Sequence, residues 1–262
     1  MNSEKQQDKY KFGLTLSGGG ARGIGHIGVL EALEKYGIVP GIISGTSMGA
    51  LVGVLYAAGH SPKEILKLIT SSSIYELVNL HVPFSGLINV SGVRKMLKKY
   101  IGEDDFSALE KPFYCAVTNL NSGKLEIKSE GELFKWVMAS ISVPVILKPQ
   151  IIDGNTYVDG GLLNNLPTGP VREKCQFLIG VNVNYNGHEE KVEGLQAIAE
   201  RCFRLAIAKN IMEGIEDTDL MIQPRETSTF STFAFNKAEE IYKIGFDYAE
   251  KIISEKPDLL KL

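Results

Sequence analysis

The sequence predicts an α/β domain whose mostly parallel sheet is covered by helices on both faces. Three observations predict it. Short apolar segments that end in turns alternate with segments of helical periodicity through the first quarter of the chain. Two pairs of short segments in the middle flank turns of Asn, Asp, Ser and Gly, which predict hairpins. No linker, repeat or low-complexity segment divides the chain, so we predict a polar N-terminal segment over residues 1–11 and one domain over residues 12–262.

Each predicted element follows from a local pattern. Strands are alternating or uniformly apolar, helices carry apolar residues three and four positions apart, and Gly or Pro marks their ends. Ser61 and Glu64 form a capping box around Pro62, and Asn236 with Glu239 is predicted to cap the last helix in the same way. In chain order we predict a strand at 12–17, a helix at 21–36, a strand at 38–44, a helix at 48–58, a helix from 62, a helix at 91–101, a hairpin of 112–120 and 124–128, a helix at 132–141, a hairpin of 150–152 and 156–158, a strand at 177–183, an amphipathic helix at 195–216, a strand at 219–223 and a helix ending near 253.

Charge and cysteine usage exclude several function classes. The chain of 262 residues has 28 Lys and Arg against 31 Asp and Glu, a net charge of −3, which argues against a nucleic-acid partner. Cys115, Cys175 and Cys202 show no Cys-x-x-Cys spacing and lie among apolar neighbours, so we expect three buried free thiols in a reducing compartment. The polar N-terminal segment resembles no secretory signal. We expect a cytoplasmic protein, either free or peripheral at the inner membrane surface.

One uncharged stretch, residues 36–62, has two interpretations. Glycine stands at every fourth position from Gly41 to Gly53, as on the packing face of a membrane-spanning helix. Pro40 and the polar residues 44–47 interrupt that pattern, however, and the glycines weaken a helix. A buried strand, a sharp turn and a buried helix are therefore the better prediction.

That turn carries the first candidate for chemistry. Residues 45–49, Gly-Thr-Ser-Met-Gly, match the Gly-x-Ser-x-Gly pattern of a nucleophile elbow. The pattern alone is weak in a chain with 27 glycines, but a buried strand precedes it and an apolar helix follows it, which is the setting an elbow requires. We predict Ser47 as a nucleophile. The alternative is a small-residue turn that packs helix on sheet.

Three glycines at the end of the first predicted strand are the second candidate. The N–H groups of Gly18, Gly19 and Gly20 are predicted to point into a site at the same sheet edge and to form an oxyanion hole. Arg22 follows within the first helical turn. The competing interpretation is a phosphate cradle for a nucleotide. The segment has neither the Gly-Lys-Ser/Thr ending of a P-loop nor Rossmann spacing.

A serine hydroxyl needs a base, and two side chains are candidates. Asp159 ends a predicted strand and precedes two glycines, so its carboxylate could hydrogen-bond the serine, and partial burial would raise its pKa. His188 is the histidine that follows a candidate aspartate, as in a Ser–Asp–His order, and it lies in a polar loop. A Ser47–Asp159 dyad and a Ser47–Asp159–His188 triad both stay open at this point. No His, Cys, Asp and Glu residues have metal-ligand spacing, so we expect no metal.

Five ordered segments resemble motifs of the patatin-like phospholipases, and they fall between residues 12 and 170. The first three are the glycine-rich segment from Gly18 to Gly23, the serine turn, and Asp159-Gly160-Gly161. Residues 139–144 resemble the family's Ala-Ser-x-x-x-Pro, and residues 165–167 resemble its Asn-x-Pro. The chain looks most like bacterial members and like the catalytic domain of neuropathy target esterase.

The resemblance implies a fold and a chemistry. The implied fold is a three-layer α/β/α sandwich. The implied activity is hydrolysis of phospholipid acyl esters by a Ser–Asp dyad without a catalytic histidine. Ser47 is then the nucleophile, Asp159 the base and Gly18 to Gly20 the oxyanion hole, with Arg22 as electrostatic support or as an ion pair that steadies the loop.

We therefore expect a serine acyl-ester hydrolase that releases fatty acid from phospholipids or lysophospholipids without a cofactor. The expected partner is a lipid or membrane surface, and residues 81–90 and 227–235 are candidates for a lid or an interfacial lip. An acyl thioesterase or acyltransferase that uses Ser47 and a non-catalytic lipid- or protein-binding adaptor are the alternatives. The sequence leaves head group, acyl position, chain length and oligomeric state open.

Overall fold

The computed structural model of the chain describes residues 9–71, 91–185, 192–256 and 259. Within them, eight strands form one sheet in the order β5-β6-β3-β2-β1-β7-β8, and β4 also pairs with β3. Neighbouring strands are parallel from β3 to β8, whereas β4, β5 and β6 add antiparallel pairs. The strands are β1 Tyr10–Leu16, β2 Ile42–Gly45, β3 Phe113–Asn119, β4 Lys124–Lys128, β5 Gln150–Ile152, β6 Asn155–Asp159, β7 Cys175–Val181 and β8 Leu220–Ile222.

Helices cover this sheet, and they agree closely with the predicted ones. The capping box is confirmed, since the Ser61 N–H donates to Glu64 Oε2 at 2.9 Å. Among the described residues no helix combines the length and the apolar character needed to cross a bilayer. The helices are α1 Gly25–Lys35, α2 Met48–Ala57, α3 Pro62–Ser71, α4 Ser91–Tyr100, α5 Leu133–Ser140, α6 Gly169–Arg172, α7 Leu195–Glu216 and α8 Ala238–Ser254.

Core residues lie on both faces of the sheet, which confirms the predicted fold class. Ile43 of β2 belongs to the large core cluster, while its neighbour Ile42 belongs to a second cluster with Val171 of α6. Adjacent residues of a strand point to opposite faces, so each face has its own apolar layer. On the larger face α1 and α8 pack backbone to backbone, because a Cβ atom at Gly28 would lie 2.0 Å from the Tyr242 carbonyl oxygen.

Three local predictions are wrong. Cys202 is exposed on α7, whereas Cys115 and Cys175 are buried as expected. No side chain caps α8, which follows a 3-10 turn over Phe235–Lys237, so the predicted cap of Asn236 and Glu239 does not form there. The predicted helix at 21–36 begins as a 3-10 helix over Gly20–Ile24. The short helix α6 had no predicted counterpart.

Candidate active site

Ser47 lies in the turn between β2 and α2 and has a strained backbone. Its φ of 55° and ψ of −125° place a residue with a side chain in the positive-φ region. Such a conformation costs on the order of 1–3 kcal/mol and persists where neighbours fix it. Here the Ser47 N–H donates to Ser140 Oγ at 2.9 Å, and Thr46 Oγ1 donates to the Asn164 carbonyl at 3.0 Å. The turn therefore has the geometry predicted for a nucleophile elbow.

Strand register brings the end of β6 to this turn. Because β4 pairs with residues 115–119 along one edge of β3, β2 and β6 must share the opposite edge. There Gly45 of β2 pairs with Cys115, and Asp159 of β6 pairs with Val117. The two strands run toward each other and both end at this point. Residues that follow Gly45 are consequently placed beside Asp159.

Asp159 and Ser47 meet through their side chains. Both side chains line the same cavity, and the Ser47 hydroxyl is near enough to the Asp159 carboxylate to lower its pKa. Asp159 is 1% exposed, and its Oδ1 also accepts the Gly161 N–H at 2.8 Å. Burial raises the pKa of Asp159 to about 7, and the hydrogen bonds from Ser47 and Gly161 oppose that rise. A carboxyl group in this environment changes its ionisation near neutral pH.

The glycine loop between β1 and the first 3-10 helix lies against the serine turn. A Cβ atom at Gly18 would be 3.0 Å from the Ser47 Cβ. The Gly18 N–H donates to Asn165 Oδ1 at 3.1 Å, so this amide is already engaged. Gly19 and Gly20 line the cavity beside Ser47, and among the described residues neither of their N–H groups has a hydrogen-bond partner. Of the three residues predicted for an oxyanion hole, Gly19 and Gly20 line the cavity, whereas the Gly18 amide anchors the loop.

Arg22 holds a distant segment against the glycine loop. Its side chain is 3% exposed, and its Nε donates to the Phe230 carbonyl at 2.7 Å. The neighbouring Ala21 N–H donates to the Thr232 carbonyl at 2.8 Å. Arg22 is absent from the residues that line the cavity. Through Nε, Arg22 therefore contacts the segment that contributes Thr232 and Phe233 to the cavity.

That covering segment is one of the two predicted lids. Thr232 and Phe233 line the cavity, while Thr227 and Phe235 are buried beneath them. The other predicted lid, residues 81–90, lies outside the described residues, and so does His188.

The cavity is small and mostly apolar around its polar centre. Its volume is about 60 Å³, whereas pockets that enclose a drug-sized ligand measure about 300–1,000 Å³. It therefore has room for a reacting carbonyl group and a water but not for a whole acyl chain. Within the described residues no cluster of His, Cys, Asp and Glu is arranged to hold a metal ion. The lining residues are Gly19, Gly20, Ser47, Val143, Ile146, Asp159, Asn165, Asn184, Phe203, Arg204, Ile207, Thr232 and Phe233.

Exposed apolar side chains lie on the same segments of the chain as the residues that line this cavity. The segment that contributes Val143 also carries Val145, which is 66% exposed. Helix α7 lines the cavity with Phe203 and turns Leu205 and Met212, 50% and 58% exposed, outward. The prediction that α7 is amphipathic is thus wrong, because it presents apolar residues to the cavity and to solvent. We call the set of Val145, Leu163, Ile198, Leu205 and Met212 the apolar rim.

Three asparagines of the site were not predicted as functional residues. Asn165 is fully buried and anchors Gly18, and Asn210 of α7 accepts the Asn165 N–H at 2.9 Å and donates to the Gly161 carbonyl at 3.0 Å. Asn184 donates from Nδ2 to the Gly18 carbonyl at 2.5 Å. The one sequence signal for Asn184 is its place just after a buried strand.

Comparisons with known proteins agree with this geometry. The model of the patatin-like phospholipase family matches residues 14–172, more than half of the chain. The protein named Lysophospholipase NTE1 from Saccharomyces cerevisiae is 30% identical over 269 residues, which cover 90% of this chain and 16% of that protein. Its namesake from Scheffersomyces stipitis is 29% identical over 278 residues, covering 92% and 18%. The chain thus spans less than a fifth of the length of these relatives.

A solved structure supports the fold. The crystal structure of VipD from Legionella pneumophila superposes with a TM-score of 0.60 and 18% sequence identity, covering 97% of this chain and 69% of that one. At this identity the likeness concerns the architecture of sheet and helices alone.

Proposed function

The chain belongs to the patatin-like phospholipase family, and we propose that it is a serine hydrolase that cleaves acyl esters of phospholipids or lysophospholipids. The observation that carries the proposal is the placement of Ser47 and the buried Asp159 in one cavity, close enough for Ser47 to lower the pKa of Asp159, together with Gly19 and Gly20, whose amides have no partner among the described residues. The substrate class is taken from the family and from the relatives named lysophospholipase.

In the first step Ser47 is acylated. Asp159 accepts the hydroxyl proton while Ser47 Oγ bonds to the ester carbonyl carbon. The carbonyl oxygen becomes negative, and the N–H groups of Gly19 and Gly20 donate to it. The C–O bond to the alcohol then breaks, and the departing alcohol takes the proton from Asp159. The products of this step are the free alcohol and an acyl ester on Ser47.

In the second step water replaces the serine. Asp159 accepts a proton from water as the water oxygen bonds to the acyl carbon, and the same two amides again hold the negative oxygen. When the bond to Oγ breaks, Ser47 recovers the proton from Asp159 and the fatty acid leaves. Proton and electron balance are closed over the cycle, and no histidine takes part.

The environment of Asp159 supports its role as the base. An exposed aspartate with a pKa of about 3.9 would be a weak base at neutral pH. Burial raises the pKa of Asp159 to about 7, and a base works best when its pKa lies near the working pH. The strained backbone of Ser47 supports the partner role, because strain of this kind is concentrated at functional sites.

The apolar rim supports a substrate that lies in a lipid surface. A cavity of about 60 Å³ holds the ester group, so the acyl chain must continue past it. Leu205 and Met212 stand on the outer face of the helix whose inner face carries Phe203 and Ile207. An acyl chain or a membrane surface would cover these side chains and remove their apolar area from water.

The proposal is tested by covalent labelling and by turnover. A fluorophosphonate should attach to the wild-type protein and not to Ser47→Ala, while Ser122→Ala, a change in the exposed turn between β3 and β4, should label like the wild type. Phospholipid, lysophospholipid and acyl-thioester substrates should then be compared with the same three proteins. Preference for the thioester would redirect the proposal to an acyl thioesterase. Labelling without turnover of any acyl substrate, or no labelling at all, would contradict it.

A further inference from the structure

We propose that His26 is a positioning residue that holds the glycine loop so that the amides of Gly19 and Gly20 face the cavity. His26 lies on α1, is fully buried and is not among the residues that line the cavity. It has no part in the cycle described above. The catalytic meaning of this role rests on the proposed function, but the loop geometry itself does not.

The peptide group between Ser17 and Gly18 is fixed from both sides. On one side His26 Nε2 donates to the Ser17 carbonyl at 2.7 Å. On the other side the Gly18 N–H donates to Asn165 Oδ1 at 3.1 Å and approaches the Asn165 carbonyl at 3.3 Å. A trans peptide places its C=O and N–H on opposite sides of the chain, so these two contacts together set the plane of this peptide.

The next peptide group, between Gly18 and Gly19, is also held by hydrogen bonds to its carbonyl. The Gly18 carbonyl accepts from Asn184 Nδ2 at 2.5 Å and from Ser17 Oγ at 2.9 Å. Ser17 Oγ in turn accepts the Val183 N–H at 3.2 Å. With the carbonyl held on that side, the Gly19 N–H of the same peptide must point to the other side. Gly19 lines the cavity, so the proposal takes that other side to be the one that a bound carbonyl oxygen occupies.

The chemistry of His26 fits a fixed donor. Its partner is a carbonyl, which can only accept, so the proton must be on Nε2. Burial lowers the pKa of His26 to about 4, hence the ring stays neutral at neutral pH and its tautomer does not change. Nδ1 is buried without a hydrogen-bond partner among the described residues. The one hydrogen bond that this ring makes among the described residues is therefore the bond to the glycine loop.

The test compares side chains that keep or lose a donor at the Nε2 position. His26→Gln carries its amide nitrogen as many bonds from the backbone as Nε2, whereas His26→Asn is one bond shorter and His26→Met has no donor. His60 gives a matched control, because its Nε2 makes the same kind of contact, at 2.9 Å, with the Tyr100 carbonyl in a region that lines no part of the cavity. His60→Met should leave turnover unchanged.

Two measurements are made on each variant. For hydrolysis of a soluble ester, counted per labelled active site, we expect His26→Met and His26→Asn to lower kcat by about tenfold or more with KM changed less than about twofold. His26→Gln should restore kcat to within about threefold of the wild type. Hydrogen exchange of the amides of residues 17–20 should accelerate in the Met and Asn variants and not in the Gln or His60 variants.

The outcomes separate the two proposals. If the wild-type protein shows neither hydrolysis nor labelling, the proposed function is wrong. Hydrogen exchange of residues 17–20 in the variants would still show whether His26 orders the glycine loop. Unchanged exchange and unchanged kcat in His26→Asn would overturn the inference, as would a Gln variant no better than Asn. If His26→Met does not fold, the Gln and Asn pair carries the same comparison.

Discussion

The turn after β1 and the turn after β2 lie at the same edge of the sheet, and each connects a buried strand to a helix. After β1 the chain passes through Gly18 to Gly20, and after β2 it passes through Ser47, each time from a buried strand into a helix. Both turns line the cavity, and in the proposed function the first contributes main-chain N–H groups and the second a side-chain hydroxyl. The two strands are neighbours and parallel, with Leu16 paired to Gly45, so both turns open on the same space.

The two turns are held in place by different means. The first uses glycine for its positive φ and is fixed by His26, Asn165 and Asn184, which come from three separate parts of the chain. The second accepts strain at Ser47 and is fixed by Ser140 Oγ, by the Asn164 carbonyl and by the close approach of Gly49 to the Leu16 carbonyl. Both turns therefore depend on partners from distant parts of the chain, but the first places glycines at positive φ, whereas the second places a residue with a side chain there.

The largest expected effect removes the partner of the second turn. Asp159→Asn should lower kcat for an acyl ester by about 10³-fold or more, because Ser47 loses its base. The same change should stabilise the protein, since a buried carboxylate no longer needs to ionise. We expect a gain on the order of 2–4 kcal/mol at pH 7, from a pKa raised from 3.8 to about 7.

The sign follows from proton linkage. Between pH 3.8 and about 7 the unfolded chain releases the Asp159 proton while the folded protein keeps it, so stability falls as pH rises through this range and then levels off. The gain of Asp159→Asn should therefore be small at pH 4 and largest above pH 7. Urea unfolding of the wild type and of Asp159→Asn at pH 4 and at pH 7 measures this gain. A variant less stable than the wild type at pH 7 would contradict a raised pKa of the buried Asp159 carboxyl.

A pair of glycine substitutions, one in each turn, compares the two turns directly. A Cβ atom at Gly49 would lie 2.4 Å from the Leu16 carbonyl oxygen, so Gly49→Ala should cost about 1–3 kcal/mol of stability. Gly20 lines the cavity and has φ 56°, and a Cβ atom there would lie 2.4 Å from the Thr232 carbonyl oxygen, so Gly20→Ala should cost stability as well. Gly20→Ala should lower kcat about tenfold or more by shifting an oxyanion donor. Thermal melts and active-site titration separate the two effects, and equal loss of activity per folded molecule in both variants would contradict the contrast.

The third prediction tests the second turn by pH. In the proposed cycle ionised Asp159 is the active form, so kcat/KM for a soluble ester should rise about tenfold per unit up to a midpoint near pH 7 and stay level above it. His26 does not interfere, because burial lowers its pKa to about 4. Rates at constant ionic strength from pH 5.5 to 8.5 give the profile. A flat profile over this interval would exclude Asp159 as the base.

The smallest expected effect lies outside both turns. Leu205→Asp on the apolar rim should reduce hydrolysis of phospholipid vesicles severalfold while hydrolysis of a soluble ester, which reports on both turns, stays the same. Val39→Asp is the matched control, since Val39 is 49% exposed and precedes β2 at the end opposite Ser47. If Leu205→Asp lowers hydrolysis of vesicles and of soluble ester equally, or if Leu205→Asp and Val39→Asp lower vesicle hydrolysis equally, the apolar rim does not contact the lipid surface.

The sequence predicts local structure well because local patterns carry it. The strand, turn and helix around Ser47 are encoded in consecutive residues, and the structure confirms their order and their bounds within a few positions. The exposure of Cys202 and the absence of a cap before α8 depend on what packs against those segments, which periodicity does not reveal.

The site was predictable to the extent that its residues lie in short motifs. The structure places Ser47 and Asp159 in contact, and their roles stay a proposal. Asn184 and His26 could not be assigned, because their contacts join Gly18 to a residue 166 positions away and Ser17 to one nine positions away. Neither type of hydrogen bond leaves a pattern in a single sequence.

The shared edge of β3 makes catalysis a measure of correct strand pairing. Asp159 reaches Ser47 only because Asp159 is opposite Val117 and Gly45 is opposite Cys115. A slip of one residue in β6 would turn Asp159 to the other face of the sheet. A chain with β6 out of register could keep its helices and much of its circular dichroism signal and still not turn over substrate. Turnover after refolding should therefore report the register of β6, which circular dichroism does not.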